Sequence, residues 1–335
     1  MSELAITSEV KPKTKKIKSV SYAKWGYIFI IPFFIAYLAF TLYPQIKTFY
    51  YSFFDYRESG LDIIGPNFVG FANYAKLFKV SATGNVLIWK TLGNTLIMWV
   101  MGAVFQILIA LILAIFFTST RLNLKCTGFF KAVFYMPNLI MASAFAFLFY
   151  VLFNTVGPVN QIAIKFGWLD HGIDFISTNP WTTRSLVASM NFLLWFGNTT
   201  ILLMAGIMGI DESLFESARV DGASSTRVFF DITLPLLKPI LVYVAITSMI
   251  GGLQMYDVPS VLSKGRGQPN NTTKTLVMLL NDYLSGNRNY GFAGAVAVVL
   301  FIITAVFSVM VCPNGTIHVW WTAAQTNHYQ YQSVR

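Results

Sequence analysis

The sequence predicts an all-α integral membrane fold with six transmembrane helices. Two observations carry that prediction. Of 335 residues, 11% are charged and 55% hydrophobic, where an ordinary soluble domain carries about 25% charged residues. The charges also leave six stretches without Asp, Glu, Lys or Arg: Trp25–Tyr43, Thr91–Phe117, Ala132–Phe153, Ser185–Ile210, Pro239–Tyr256 and Tyr290–Val311. Each stretch reaches roughly 18 residues or more, enough for a helix to cross a hydrocarbon layer. Lipid offers the backbone no hydrogen-bond partner, so such stretches must be helices. The helices of a soluble core would instead show a polar face.

The first stretch follows a basic tail, residues 1–24, with Lys11, Lys13, Lys15, Lys16, Lys18 and Lys24. A secretory signal also has basic residues before an apolar run. Here the run is long and no small-residue cleavage site follows, which predicts an uncleaved first span. The lysines place the N-terminus in the cytoplasm by the positive-inside rule. Counting spans from there puts 44–90, 154–184 and 257–289 outside, and 118–131 and 211–238 inside. The 118–131 loop agrees, carrying Arg121, Lys125 and Lys131 without an acid.

The loop between the fourth and fifth spans is charged. It contains Glu216-Ser217-Ala218-Arg219-Val220-Asp221-Gly222-Ala223 and then Ile232-Thr233-Leu234-Pro235. Asp211 or Ser213 can cap a short helix, and Ser213 to Glu216 has capping-box spacing, with Glu216 reaching back to the cap. Gly222 permits a sharp turn. Ser224 or Ser225 can start a second helix through Ile232, and Leu234-Pro235 ends the excursion. Leu214, Phe215, Ala218, Val228, Phe229 and Ile232 give the pair an apolar side for a partner's groove or for lying on lipid.

This spacing, E-A-A, three residues, G, nine residues, I-x-L-P, resembles the cytoplasmic coupling loop of bacterial ABC importer permeases. Ser217 replaces the first alanine, and Asp211 stands where that family often has proline. The resemblance implies that Glu216, Ala218, Asp221, Gly222, Ala223, Ile232, Leu234 and Pro235 form a helix–turn–helix seated on a separate ATPase. It further implies a second, similar permease, two ATP-binding cassette ATPases and an extracytoplasmic solute-binding protein, in a bacterial inner membrane. The chain itself has no G-x-x-x-x-G-K-[ST] phosphate loop, so ATP and its hydrolysis would belong to the partners, and the chain is not expected to be an enzyme.

Two further segments point the resemblance toward carbohydrate. Gly265-Arg266-Gly267-Gln268-Pro269-Asn270-Asn271-Thr272-Thr273-Lys274-Thr275-Leu276 is similar to the G-G-P-x-x-x-T loop of sugar importer permeases. Gly65-Pro66-Asn67-Phe68-Val69-Gly70-Phe71-Ala72-Asn73-Tyr74 is similar to their F-V-G-L-x-N-Y segment. Asn94-Thr95 and Tyr290-Gly291-Phe292-Ala293 agree. Residues 25–311 thus resemble the maltose and glycerol-3-phosphate permease group. By themselves Gly and Pro there mark only a tight turn, and an importer of a non-sugar solute would share the coupling loop.

A sugar path needs polar and aromatic groups at membrane depth, where polar side chains are expensive unless they face a pathway or partner. Asn191, Trp195 and Asn198 recur at helical spacing on one face of span four, and span five ends in Gln254, Tyr256 and Asp257. Amides and carboxylates bond hydroxyls, and aromatic rings pack on a sugar's C–H face. Polar glue between helices is the competing reading. Pro32 and Pro137 predict kinks.

Other classes are disfavoured. A stand-alone secondary transporter predicts intramembrane charges or broken inverted repeats, and a membrane enzyme needs a titratable cluster. Cys126 and Cys312 lie far apart, and His171, His318 and His328 show no ligand spacing, so neither a disulfide framework nor a metal site is expected. The net charge of +10 fits anionic lipid headgroups, not nucleic acid. Residues 312–335, with Cys312-Pro313-Asn314-Gly315 and Trp320-Trp321, lack the basic anchor usual in the family and read as a foreign or out-of-frame end.

Overall fold

The computed structural model describes residues 23–80, 86–119 and 126–311. The lysines from Lys11 to Lys18, Arg121 and Lys125, His318 and His328, and the 312–335 tail lie outside them. The chain divides into two units, residues 1–47 and 48–335. The first contains α1 (Ala23–Tyr37), which runs through Pro32, and a wide turn at Leu38–Leu42 that leads into α2 (Tyr43–Tyr51). Within α1, Phe33 stacks on Tyr37 at 6.2 Å and meets Phe34 edge-on at 5.6 Å.

The second unit opens with a short antiparallel hairpin, β1 (Phe54–Ser59) and β2 (Asp62–Phe68), and α3 (Ala72–Leu77). Then come α4 (Leu87–Thr118), α5 (Thr127–Leu139), α6 (Ala142–Phe153) and α7 (Pro158–Lys165). Next are α8 (Pro180–Met208), α9 (Glu212–Val220), α10 (Ser225–Val228) and α11 (Leu234–Leu253). The short α12 (Asp257–Leu262) and α13 (Leu276–Asn281) precede α14 (Tyr290–Val311). Among the described residues, six helical segments are long and apolar enough to cross a membrane, and each overlaps one of the charge-free stretches.

The third stretch is not one straight helix. α5 stops two residues after Pro137, Ile140 and Met141 are extended, and α6 resumes at Ala142. Proline removes a helical N–H, and the Asn138 amide donates to the Leu194 carbonyl at 3.0 Å, fastening the break to α8.

Three levels of contact orient α4 and α8. Arg184 bonds Asn94 (2.8 Å), a side chain at Gly102 would meet the Ala188 carbonyl, and Gln106 bonds Thr199 (2.8 Å). Both numbers rise together, so the helices run in the same direction. The seam holds buried Ala103, Ala110, Ala114 and Ala188. Lipid is as apolar as the helices, so such seams close through small residues that let backbones approach. Gly197 packs on Phe134 while Asn138 bonds Leu194, and Val244 clusters with Ala110 and Ala114 while Ser248 meets Trp99, so α5 and α11 run against that direction. Phe292 and Val296 join Met249, Leu253 and Leu92 in one cluster where α11 ends and α14 begins. Within the second unit, successive crossings therefore alternate. The 209–233 segment lies at one end of the second unit, and the hairpin, α12 and α13 lie at the other.

Candidate functional site

Two features stand at the two ends of α11. At one end is the charged loop. The Asp211 carboxylate accepts the Ser213 N–H at 3.0 Å and starts α9. That bond holds its carboxyl below the usual aspartate range. The expected Ser213–Glu216 capping box is therefore not the cap, because Asp211 sits two residues before the N–H it receives, the ordinary N-cap geometry. Glu216 is exposed, and Ala218 is the buried residue of α9.

Asp221, Gly222 and Ala223 make the turn. Gly222 has φ +70°, a conformation that costs an L-residue about 1–2 kcal/mol. The Ser224 hydroxyl accepts the Arg227 N–H at 3.3 Å and starts α10. From there the chain does not end its excursion at Leu234-Pro235, as the sequence suggested. A wide helical turn at Phe229–Thr233 carries it straight into α11, with Ile232 in the turn and Pro235 in the first turn of α11. Proline is harmless at that position because its missing N–H would be unpaired anyway. α10, the wide turn and α11 form one continuous helical run.

Along α11 toward its other end is a cavity of about 310 Å³ between α4, α8 and α11. Asn191, Trp195 and Asn198 all line it. Gln254, Tyr256 and Asp257 do not. α11 ends at Leu253 and the chain turns away, so Tyr256 instead accepts a bond from Asn281 at 2.9 Å and Gln254 and Asp257 are exposed. The sequence reading missed Gln106, Trp99, Thr199, Tyr243, Thr247 and Ser248, which complete the wall. Gln106 was legible in principle, as the single carboxamide in the apolar run from Leu96 to Phe117.

Trp99 reaches the wall because Gly252 has no side chain. A Cβ there would lie 2.1 Å from the indole. The Trp99 N–H donates to Ser248 at 3.2 Å.

The segment 264–275 covers the N-terminal ends of α4 and α8. The Arg184 guanidinium donates to the Asn94 side chain (2.8 Å) and the Thr272 carbonyl (3.1 Å). Asn94 donates to the Asn271 (2.8 Å) and Lys274 (3.2 Å) carbonyls, and Lys90 to that of Asn270 (3.1 Å). Lys274 pairs with Asp282. Nearby, Glu58 on β1 joins the start of α14. Its carboxylate accepts from the Tyr290 hydroxyl at 2.6 Å and pairs with Arg288 at 2.8 Å, and these partners, Tyr290 first, hold it below the usual glutamate range. Among the described residues, no group of three or more His, Cys, Asp and Glu is placed to hold a metal.

Residues 106–312 match the family described as binding-protein-dependent transport system inner membrane component. The chain belongs to that family. It is similar to the multiple sugar-binding transport system permease protein MsmF of Streptococcus mutans, 31% identical with 88% of this chain and 96% of that protein covered. It is also similar to the lactose transport system permease protein LacF of Rhizobium radiobacter, 29% identical with 84% and 91% covered. Among solved structures, it shares its fold with a chain of a bacterial ABC transporter involved in the import of the acidic polysaccharide alginate. The TM-score is 0.69, at 21% identity, with 86% and 93% covered. The chain is thus a multi-pass inner membrane component of an ABC-type transport system.

Proposed function

We propose that this chain is the permease subunit of an ATP-driven carbohydrate importer and that the 211–235 segment is where ATPase motion enters it. The observation that carries the reading is the continuity of that segment with α11. α10, the second helix of a capped, exposed pair, runs without a break into a helix whose other half supplies Tyr243, Thr247 and Ser248 to the cavity wall. A push on the pair tilts the wall. The relatives named for lactose and multiple sugars, together with a cavity of amides, hydroxyls and aromatic rings, support carbohydrate as the cargo.

In this reading the 209–233 end and the N-terminus face the cytoplasm. Two ATPases seat on the coupling segments of this chain and of a second, homologous permease. An extracytoplasmic solute-binding protein delivers sugar at the opposite end. ATP stays on the ATPases. Their closure drives the Glu216–Pro235 segments and turns the cavity outward, and hydrolysis returns it inward and releases the sugar into the cell.

The test is Gly222→Val in the assembled importer reconstituted in proteoliposomes, with labelled lactose or arabinotriose, whichever it carries. A β-branched residue at φ +70° must rebuild the turn. The expected result is normal membrane insertion and continued ATP hydrolysis with uptake reduced at least tenfold. Undiminished uptake would count against the coupling role.

A further inference from the structure

The cavity wall carries a preference about charge. None of its lining side chains is Asp, Glu, Lys, Arg or His. Resting on the proposal that this cavity lies on the sugar's path, we infer that it selects uncharged saccharides and rejects uronates and sugar phosphates. Gln106 and Asn198 are the specificity-determining pair.

Of the three carboxamides in the wall, these two keep the most unspent hydrogen-bonding capacity. Asn191 spends its amide on the Val187 carbonyl at 2.9 Å and the Met255 sulfur at 3.4 Å. Thr199 donates to the Trp195 carbonyl at 3.0 Å and accepts from the Gln106 Nε2 at 2.8 Å. That leaves the Gln106 carbonyl oxygen and the whole Asn198 carboxamide without a hydrogen bond among the described residues. Gln106 is only 8% exposed. Among the described residues no buried side-chain nitrogen or oxygen lacks a partner, so these unspent atoms are open to the cavity, where a ligand reaches them. Together the two offer donors and acceptors, the set that a hydroxyl, itself donor and acceptor, satisfies.

A carboxylate or phosphate only accepts, and it brings a charge. Withdrawing an ion from water costs several kcal/mol unless an opposite charge compensates, and neutral amides do not. The aromatic wall acts in the same direction. Trp195 and Tyr243 supply aromatic rings to the wall; ring faces carry the negative side of the quadrupole, so packing on them favours a sugar's C–H face over an anion. Sharing a fold with a transporter of an acidic polysaccharide therefore does not extend to sharing its charge preference: the fold sets the cavity and the lining sets the sign.

The experiment measures binding to the membrane complex of both permeases and both ATPases without the solute-binding protein, which removes that protein's own selectivity. Intrinsic tryptophan fluorescence is titrated with lactose, raffinose and arabinotriose, and with trigalacturonate as the acidic probe. A Trp195→Phe complex assigns the signal. The expected result is a response to at least one neutral sugar, with trigalacturonate needing at least tenfold more. Gln106→Met and Asn198→Ala should each weaken the neutral response about tenfold, and Asn198→Lys should move the preference toward trigalacturonate. Trigalacturonate binding as well as the neutral sugars, and weakened by the same substitutions, would overturn the charge preference while leaving the cavity on the path. No response from any probe, or one untouched by the substitutions in correctly assembled complex, would overturn the cavity reading itself and the inference with it.

Discussion

Asp211 replaces the proline that the resemblance places there, and the structure supplies its use: a carboxylate that caps α9 through the Ser213 N–H. Asn has the same geometry and Ala does not. Asp211→Asn should therefore preserve transport, while Asp211→Ala should loosen α9 and lower uptake per ATP hydrolysed, both read in proteoliposomes. The pH dependence follows from the sign of the shift. A carboxyl depressed in the folded protein contributes stability above its unfolded pKa, about 3.9, and loses it as pH falls through the folded value. The hydrogen-exchange protection factor of the first turn of α9, corrected for the intrinsic pH dependence of exchange, should be flat across neutral pH and fall only in strong acid. Glu58 obeys the same rule, so its link to Tyr290 and Arg288 is likewise constant at neutral pH. At this scale the sequence offered Asp211, Ser213, Ser224 and Ser225 as equal candidates for caps. Chemistry alone cannot choose between adjacent hydroxyls and carboxylates, because the choice depends on which residue is last to stay extended.

At the scale of elements, the clamp over the N-terminal ends of α4 and α8 is built on Arg184, which bonds two different groups with two different nitrogens. Arg184→Ala should cost about 1–3 kcal/mol, read as a lowered melting temperature of the purified protein in detergent. Arg184→Lys should not rescue it, since an ammonium lacks the fork that spans Asn94 and Thr272. A rescue by lysine would show that charge alone holds the segment. The charge-free stretches located every crossing, yet the helices run past them: α8 begins before Arg184 and α4 before Lys90. Charged side chains at span ends reach the interface while their backbone stays helical, so a charge marks the edge of the lipid and not the end of the helix. The hairpin was not legible, because Phe54–Ser59 carries Asp55, Arg57 and Glu58 and shows no clean alternation. Its turn at Gly60, φ +66°, was the available signal.

At the scale of the whole molecule, the proposed coupling requires α11 to be continuous from the turn at Phe229–Thr233 to Gly252, where Trp99 packs. Gly252→Leu would force the indole out of the wall. Overpacking of this kind costs typically about 1–3 kcal/mol, and the expected outcome is a shifted tryptophan emission with lost sugar binding but intact ATPase docking. Helical spacing was enough to put Asn191, Trp195 and Asn198 on one face, because residues at that spacing share a side wherever the helix is set. It could not reveal Gln106 and Ser248 as their neighbours, since these lie on α4 and α11 and meet α8 only through tertiary packing, whereas Thr199, one turn after Trp195, was within its reach. Span five misled for a related reason: Gln254, Tyr256 and Asp257 follow the helix end, and one residue past an end the periodic argument no longer holds.

The most direct test of the central claim is thiol labelling of Ala223→Cys in a background without Cys126 and Cys312, using a membrane-impermeant reagent on sealed vesicles of both orientations. The account predicts labelling only from the cytoplasmic side, and protection when the ATPases are bound. Labelling from the outer side, or labelling unchanged by the ATPases, would contradict it.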